Sequence, residues 1–487
     1  MEFLKTLGQV QLVGIALLVG VVGYVYNVLR SPLNKVPGPW YASWTNIVTK
    51  YHFLTGCNPT YIHSLHSKYG PVVRIGPNDV DVADPVAAQT IHRIKDEFLK
   101  SEFYTQFLPG VTNIFNCVNR DHHRRYRRLL SSPLSETGLK PMLPQIDSRV
   151  RFGIQRMGEE MKSRGAVDIC KWWMFMTTDI IGELTFGESF KMLELGRKNQ
   201  YIKDLEGSAF IGGLRATFPL LSKLSFYVPI PFFWKAGPIT GRLAMYSRDS
   251  IQRQRTLLEE NPDMAPTLFS KMFKAKSEDS LSGVELEDNA QAYIVGGSDT
   301  TAMSLTYLVW AVCRDPQIKE KLVNELQTRL SDDFSYDDVK ELPYLNQVIE
   351  ETTRIYAAAP SGLPRTVPSG GASLAGYWIP GGATVLTQAY SLHRSEAFPD
   401  PERFDPSRWE NPTKAMKDSM MPFGGGSRIC LGVHLARIEL RLATARFFRA
   451  FPNAIVSELE GMSDRDMDQD LFFLITPRGH RCLIQAN

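Results

Sequence analysis

Hydrophobic and polar positions divide the chain into three regimes. The first, Leu7 to Leu29, carries no charged residue and includes the run Leu12 to Val25. As a helix it would span about 34 Å, enough for a bilayer core. It is long for the apolar core of a cleaved signal, and no small-x-small cleavage site precedes Arg30 and Lys35, so residues 1–30 are expected to be an uncleaved membrane anchor. Lys5 and the amino terminus oppose Arg30, Lys35 and Lys50, a balance that leans toward a cytosolic body. Ser31 to Trp40 then places three prolines in ten residues. That ends the helix and predicts a stiff hinge over 31–41 that sets the pose of the body on the membrane.

The second regime is short and alternating. Gly70 to Pro77 and Val80 to Ala83 read as two strands joined by a Pro-Asn-Asp turn, the start of a small β portion. The third dominates: from about 120 to 360 apolar residues recur at three- and four-residue spacing, which predicts helices. Ala357 to Arg365 is too rich in proline and glycine to continue them, and Pro380-Gly-Gly382 punctuates further short strands. Leu435, Ile438, Leu442 and Ala445 then share one helix face. The expected fold is mainly α with a smaller β portion, and no linker, repeat or low-complexity run divides residues 42–487.

Composition adds exclusions. With 55 Lys and Arg against 52 Asp and Glu, the net charge of +3 gives no support to a nucleic-acid partner. Six cysteines lie far apart with no Cys-x-x-Cys pair, which argues against zinc sites and a disulfide framework and for a reducing compartment. No Asn-x-Ser/Thr acceptor with a non-proline middle exists in the chain, as a cytosolic body permits.

Candidate chemistry starts at Phe423 to Gly432, a glycine-rich loop with Cys430 just ahead of a helical pattern. A phosphate cradle fails because Ile429 replaces its third glycine and no Gly-Lys-Ser/Thr follows, and a serine elbow fails for the same isoleucine. Two readings of Cys430 remain, a small buried hydrophobe and a metal-ligating thiolate favoured by the helix N-terminus behind it. Three glycines would let the backbone approach a bulky group and aim N–H donors at the sulfur, and Gly432 would permit a sharp turn.

Gly296-Gly297-Ser298-Asp299-Thr300-Thr301 lies inside a long apolar helical pattern. Adjacent glycines in a helix interior cost about 2 kcal/mol relative to alanine, so either another helix or a ligand comes close to that backbone. A kink there is expected. Glu351 and Arg354 share a helix face at i,i+3, a pattern that by itself means only a surface ion pair. His123 and Arg127 share a face within a run of four arginines in eight residues, by default a solvated basic surface.

Taken together these segments carry a resemblance. Phe423, Gly426, Arg428, Cys430 and Gly432 match Phe-x-x-Gly-x-Arg-x-Cys-x-Gly, Gly296 to Thr301 matches Gly/Ala-Gly-x-Asp/Glu-Thr-Thr/Ser, and Glu351-x-x-Arg354 and Pro401-Glu-Arg403-Phe follow the same order. The chain resembles the cytochrome P-450 monooxygenases over its whole length. The resemblance implies the cytochrome P-450 fold and haem b (iron protoporphyrin IX), with Cys430 as axial ligand to the iron and favouring O–O cleavage. It implies that Phe423, Arg428 and Gly432 help hold the cofactor and that His123, Arg127 and Arg365 meet its propionates. Asp299 and Thr300 would deliver protons on the distal side, and Glu351, Arg354 and Arg403 would form a buried structural charge network. By the same analogy Phe103, Phe107, Phe115, Tyr293, Gly297, Ser361, Leu363 and Phe472 would line an apolar substrate pocket.

Electrons would come from NADPH through NADPH-cytochrome P-450 reductase, with cytochrome b5 as a further donor, because the chain has no nucleotide fingerprint. Arg124, Arg125 and Arg128 would face an acidic donor protein. His434, four past the cysteine, is read as solvent-facing. The implied location is the endoplasmic reticulum membrane, single-pass, with a cytosolic body. Lys68 to Pro77 and Phe398 to Trp409 look most like microsomal members from filamentous fungi, many of which oxidise secondary metabolites. Two rivals stand beside the monooxygenase: a haem-thiolate isomerase or dehydratase that needs no reductase, and a non-catalytic haem-binding protein. The retained acid-threonine pair favours the monooxygenase over the first.

Overall fold

The computed structural model describes residues 2–94, 98–225, 227–228, 236–261, 266–270 and 280–486. Helix α1, Glu2–Arg30, contains the stretch Gln11–Arg30, long and apolar enough to cross a membrane and almost wholly exposed. Its last carbonyls are satisfied by the hinge: Asn34 Nδ2 donates to Val28 O at 2.9 Å and Leu29 O at 3.0 Å. The same side chain accepts from buried Arg74 at 2.7 Å, and Arg74 also donates to Ser43 Oγ at 2.9 Å and Pro77 O at 2.7 Å. A single guanidinium thus fixes the hinge to the first strand, which gives the stiff proline segment a physical anchor on the body.

Helices α2, Ile47–Leu54, and α3, Asn58–Tyr69, lead into strands β1, Val72–Arg74, and β2, Asp79–Val82. With β3, Leu99–Lys100, β4, Arg365–Thr366, and β5, Thr384–Leu386, they form one sheet in the order β1-β2-β5-β4-β3. The β2–β5 pair is parallel and the other three are antiparallel. Register sets Lys100 directly opposite Arg365, two cations side by side at the sheet edge.

Short α4, Phe103–Phe107, and α5, Arg120–Ser131, flank the site, and Asn119 caps α5 by accepting from Asp121 N and His122 N. The helical body is built on α6, Leu143–Arg164; α7, Ile169–Phe186; α8, Gln200–Thr217; α9, Ala236–Glu260; α10, Gly283–Arg314; α11, Pro343–Ile355; and α12, Val433–Ala450. α7 is apolar nearly all round and is buried nearly all round. α10 packs on α7, α9, α11 and α12, and its far half carries Tyr307, Leu308 and Val309 into a core shared with Trp173, Phe447 and Phe448. A hairpin of β6, Gln469–Leu471, and β7, Ile475–Pro477, brings the C-terminal segment back toward the site.

The glycine pair of α10 divides its labour. A Cβ on Gly297 would stand 2.9 Å from Ile181 Cγ1, so this glycine serves the crossing with α7, while nothing lies within 4 Å of one on Gly296. Helix α10 continues as one helix through both residues. The Thr300 hydroxyl donates to Gly296 O at 2.6 Å, a back-bond along the helix.

Candidate functional site

A cavity of about 1100 Å³ opens between α10, α12, the sheet edge and the loop before α12. Cys430 lies on its wall. The loop folds back so that Cys430 N donates to Phe423 O at 2.8 Å, and the Gly432 N–H turns toward the thiol as α12 begins. Burial pushes the Cys430 thiol up, and Gly432 N–H and Arg127 pull it down. Gly432 has an ordinary negative φ, so the expected sharp turn is not its reason; it is the N-cap residue, and a Cβ there would come 4.0 Å from the sulfur.

Two of the three glycines also answer to a neighbour within the chain. Gly424 and Gly426 have φ of +71° and +59°. A Cβ on Gly426 would overlap His92 O at 1.4 Å, and one on Gly425 would meet His92 Cβ at 3.1 Å. The loop is therefore wedged against the chain at His92, itself buried and 2.6 Å from Thr387 Oγ1, and that wedge fixes where Cys430 points.

Cations converge along one side of the cavity. His123 is buried, and burial together with Arg428, Lys100, Arg127 and Arg365 pushes it down to about 3, so it is a neutral imidazole among four positive groups. Arg127 donates to Ile429 O, and Arg428 Nη1 to Cys117 O at 2.7 Å, which tie α5 and its leading loop to the cysteine loop. Arg365, itself buried, donates to Tyr104 Oη at 3.3 Å. Among the described residues no carboxylate ion-pairs Arg127 or Arg365. One thiol and a cluster of cations around a neutral histidine, beside apolar walls, are the donor set that a planar, dianionic metalloporphyrin requires.

No local pattern announces Lys100. It lines the cavity with its ammonium 4.1 Å from the Tyr104 ring centre and 4.6 Å from that of Phe115. Its partnership with Arg365 is a fact of strand register, which neighbouring residues do not encode.

Asp299 and Thr300 line the same cavity. Burial, with Glu206 adding to it, raises Asp299 to about 6, near enough to neutrality to exchange protons at physiological pH. A second carboxyl, Glu439 on α12, joins them without having been expected from the sequence. It is 1% exposed, lines the cavity, and is pushed up to about 8 by burial, against which only the Thr301 hydroxyl acts.

The buried charge network needs one correction. Glu351 and Arg354 are both fully buried and doubly joined, Arg354 Nε and Nη2 each at 2.8 Å from a Glu351 oxygen. Arg354 donates further to the carbonyls of His393, Pro401 and Arg403. The Arg403 side chain, however, is exposed, and only its carbonyl takes part. The second arginine is Arg408, 3.4 Å from Glu351, beside Trp409 Nε1 at 2.9 Å. The chain must turn after Arg403 before an arginine can point inward.

The expected pocket residues are sorted likewise. Phe107, Phe115, Tyr293, Gly297, Leu363 and Phe472 line the cavity; Phe103 and Ser361 do not. Phe103 stands behind, its ring 6.3 Å from that of Phe107, and the Ser361 hydroxyl is spent on Phe472 O. Phe473, next in the turn between β6 and β7, lines the cavity as well, with its ring 5.8 Å from Phe115 and 6.1 Å from Phe107, while the Phe472 ring also packs toward Gly56. Of the arginines read as a docking face, Arg124 is exposed, but Arg125 pairs with Glu285 at 2.6 Å and supports the capping box of α10. His434 is exposed, as expected.

The family model described as Cytochrome P450 matches residues 37–483. The chain is 47% identical over 481 residues to cytochrome P450 monooxygenase tazI of Aspergillus terreus, covering 98% of both chains. It is 42% identical to cytochrome P450 monooxygenase orf2 of Aspergillus niger, covering 98% of this chain and 97% of that one. To cytochrome P450 monooxygenase azaI of Aspergillus niger it is 42% identical over 458 residues, with 89% and 97% covered.

Proposed function

The chain belongs to the cytochrome P450 family and is a haem-thiolate monooxygenase, and from that premise we propose how its residues divide the work. The carrying observation is the placement of Cys430, beside the N-terminus of α12, on the wall of the same cavity as Asp299 and Thr300. The cofactor would be haem b, its iron held by the Cys430 thiolate, and His123, Arg127, Arg365, Arg428 and Lys100 would receive its propionates. When bound, the iron would activate dioxygen with two electrons from the donor and two from the substrate C–H bond, so that RH, O2, two protons and two electrons give ROH and water.

The chain's own part is positional and protonic. Asp299, raised to about 6 by burial, takes and returns protons, and the Thr300 hydroxyl passes them inward once it turns from Gly296 O. Phe107, Phe115 and Phe473 present apolar faces to the substrate and keep bulk water from the reacting carbon. Electrons arrive from NADPH-cytochrome P-450 reductase, with cytochrome b5 as an accessory donor. The body sits on the cytosolic face of the endoplasmic reticulum, held by α1, and acts in secondary-metabolite biosynthesis.

The test is spectroscopic, then kinetic. Reduced enzyme under carbon monoxide should show the thiolate-ligated haem band, and substrate-dependent NADPH consumption should require the reductase. A reduced spectrum without that band rejects Cys430 as ligand, and turnover without reductase favours the isomerase.

A further inference from the structure

Among the described residues the cavity lining contains five Lys and Arg side chains, and four of them are spoken for. Lys100, Arg127, Arg365 and Arg428 all act on His123, at the end assigned to the cofactor. The fifth, Arg215, stands apart. It lies near the C-terminal end of α8, half-buried, and lines the cavity along with Phe53 and Leu54 of α2 and Gly241 and Ala244 of α9. That end of α8 is pressed against α4: a Cβ on Gly212, one turn before Arg215, would stand 2.7 Å from Phe107 O.

Among the described residues Arg215 has no ion pair and no hydrogen bond. No charged neighbour acts on it either; burial alone holds it below the usual arginine range. The described lining offers no counterion, since its only two carboxyls, Asp299 and Glu439, belong to the other end, beside Thr300 and Thr301. A guanidinium half-removed from water without a partner is an unfavourable arrangement that an incoming anion would relieve.

We propose that Arg215 is a specificity-determining residue that receives an anionic oxygen, a carboxylate or enolate, at the end of an otherwise apolar substrate remote from the carbon that is oxidised. This rests on the monooxygenase reading and narrows it: the substrate is an amphipathic acid and not a neutral hydrocarbon. Fixing the charged end at Arg215 leaves the apolar body against the phenylalanines and selects which carbon reaches the haem end.

The test compares two probes of equal length, dodecanoate and dodecan-1-ol, by calorimetric titration of the full-length holoenzyme in phosphatidylcholine nanodiscs at pH 7.5. A charge-assisted contact of this kind gives the carboxylate roughly tenfold or greater preference. Arg215→Met, of similar bulk, should bring the ratio of the two affinities to about one while dodecan-1-ol binds as before, and Arg215→Lys should keep part of the preference. The proposal is overturned if wild type does not favour dodecanoate, whether both bind alike or neither binds, or if Arg215→Met keeps the preference. An arginine serving phospholipid headgroups would give a ratio near one in wild type and variant alike, and so overturns it too. Carbon-monoxide spectra of the same samples report separately on the haem thiolate, so loss of that reading is distinguishable from loss of this one.

Discussion

The two ends of the cavity are made of different materials. At the cysteine end, each arginine is fastened to a neighbour: Arg127 to Ile429 O, Arg428 to Cys117 O, Arg365 to Tyr104. The loop itself is held against His92 by an approach that only glycine tolerates. Behind it stands the fully buried Glu351–Arg354 pair, with further polar contacts converging from the segment between Pro401 and Trp409. At the α8 end the lining is mostly phenylalanine, leucine, glycine and alanine with Ser208 and Thr240 among them, and the one cation there has no partner among the described residues. The first end is preorganised for a ligand of fixed shape and charge; the second is shaped by side chains that can change without unseating the first. One fold can therefore hold a constant cofactor and alter its substrate.

The comparison is broken most severely at the buried pair. Arg354→Ala strands the Glu351 carboxylate among Asp405 N, Trp409 Nε1 and Arg408 with its main counter-charge gone. Such losses cost about 3–5 kcal/mol, a large share of a domain's net stability. The variant should accumulate without bound haem, read as loss of the Soret absorbance per protein. Arg408→Ala should be damaging while Arg403→Ala is tolerated, and the reverse order would reinstate Arg403 as the inward arginine.

The next largest effect separates chemistry from cofactor holding. Thr300→Ala deletes the hydroxyl assigned to the proton path without touching the cation cluster. Haem content and the carbon-monoxide band should stay unchanged, while product formed per NADPH falls roughly tenfold or more, in keeping with the usual worth of a positioned proton donor. Thr300→Ser should restore much of it. Unchanged coupling in the alanine variant would remove Thr300 from the proton path.

These two tests also mark how far the sequence could be read. Cys430, Asp299, Thr300 and the Glu351–Arg354 pair are legible because each is announced by short-range spacing: a loop pattern, a helix pattern, an i,i+3 pair. The strands at 72–74 and 79–82 and the helical regime are legible by alternation and period. What stays hidden depends on distance in the chain. Lys100 matters because strand register sets it against Arg365, and Gly425 and Gly426 matter because His92 presses on them. Arg408 against Arg403, and Phe473 beside Phe472, are matters of which way a turn faces. Glu439 carried a signal that helix analysis discounts: a carboxylate one position past Ile438 on an otherwise apolar face.

A smaller effect belongs to the apolar end. Phe473 joins Phe107 and Phe115 in one aromatic group, so Phe473→Ala should open the cavity and weaken binding of an aromatic or long-chain ligand by about three- to tenfold, with haem content intact. Phe472→Ala, at the Gly56 side, should change binding by less than about twofold. If the two are equal in a spectral titration, the turn presents both rings to the ligand and the division between them is lost.

The smallest effect concerns Glu439, the carboxyl that sits at the cysteine end yet is fastened to nothing but the influence of Thr301. Its ordinary value is 4.5 and its folded value about 8, so the folded protein keeps a proton there that the unfolded chain releases. Between those two values the native state binds more protons than the unfolded state, and stability must fall as pH rises through that window, then level off above it. Glu439→Gln keeps the shape and cannot ionise. Its holoenzyme should therefore lose less thermal stability than wild type between about pH 5 and pH 8, with a Tm about 2–4 °C higher than wild type at the upper end and little difference at the lower. Parallel Tm curves for the two proteins would mean that Glu439 is ionised in the folded state, and that the cysteine end holds a negative charge beside its thiolate that the four cations must also balance.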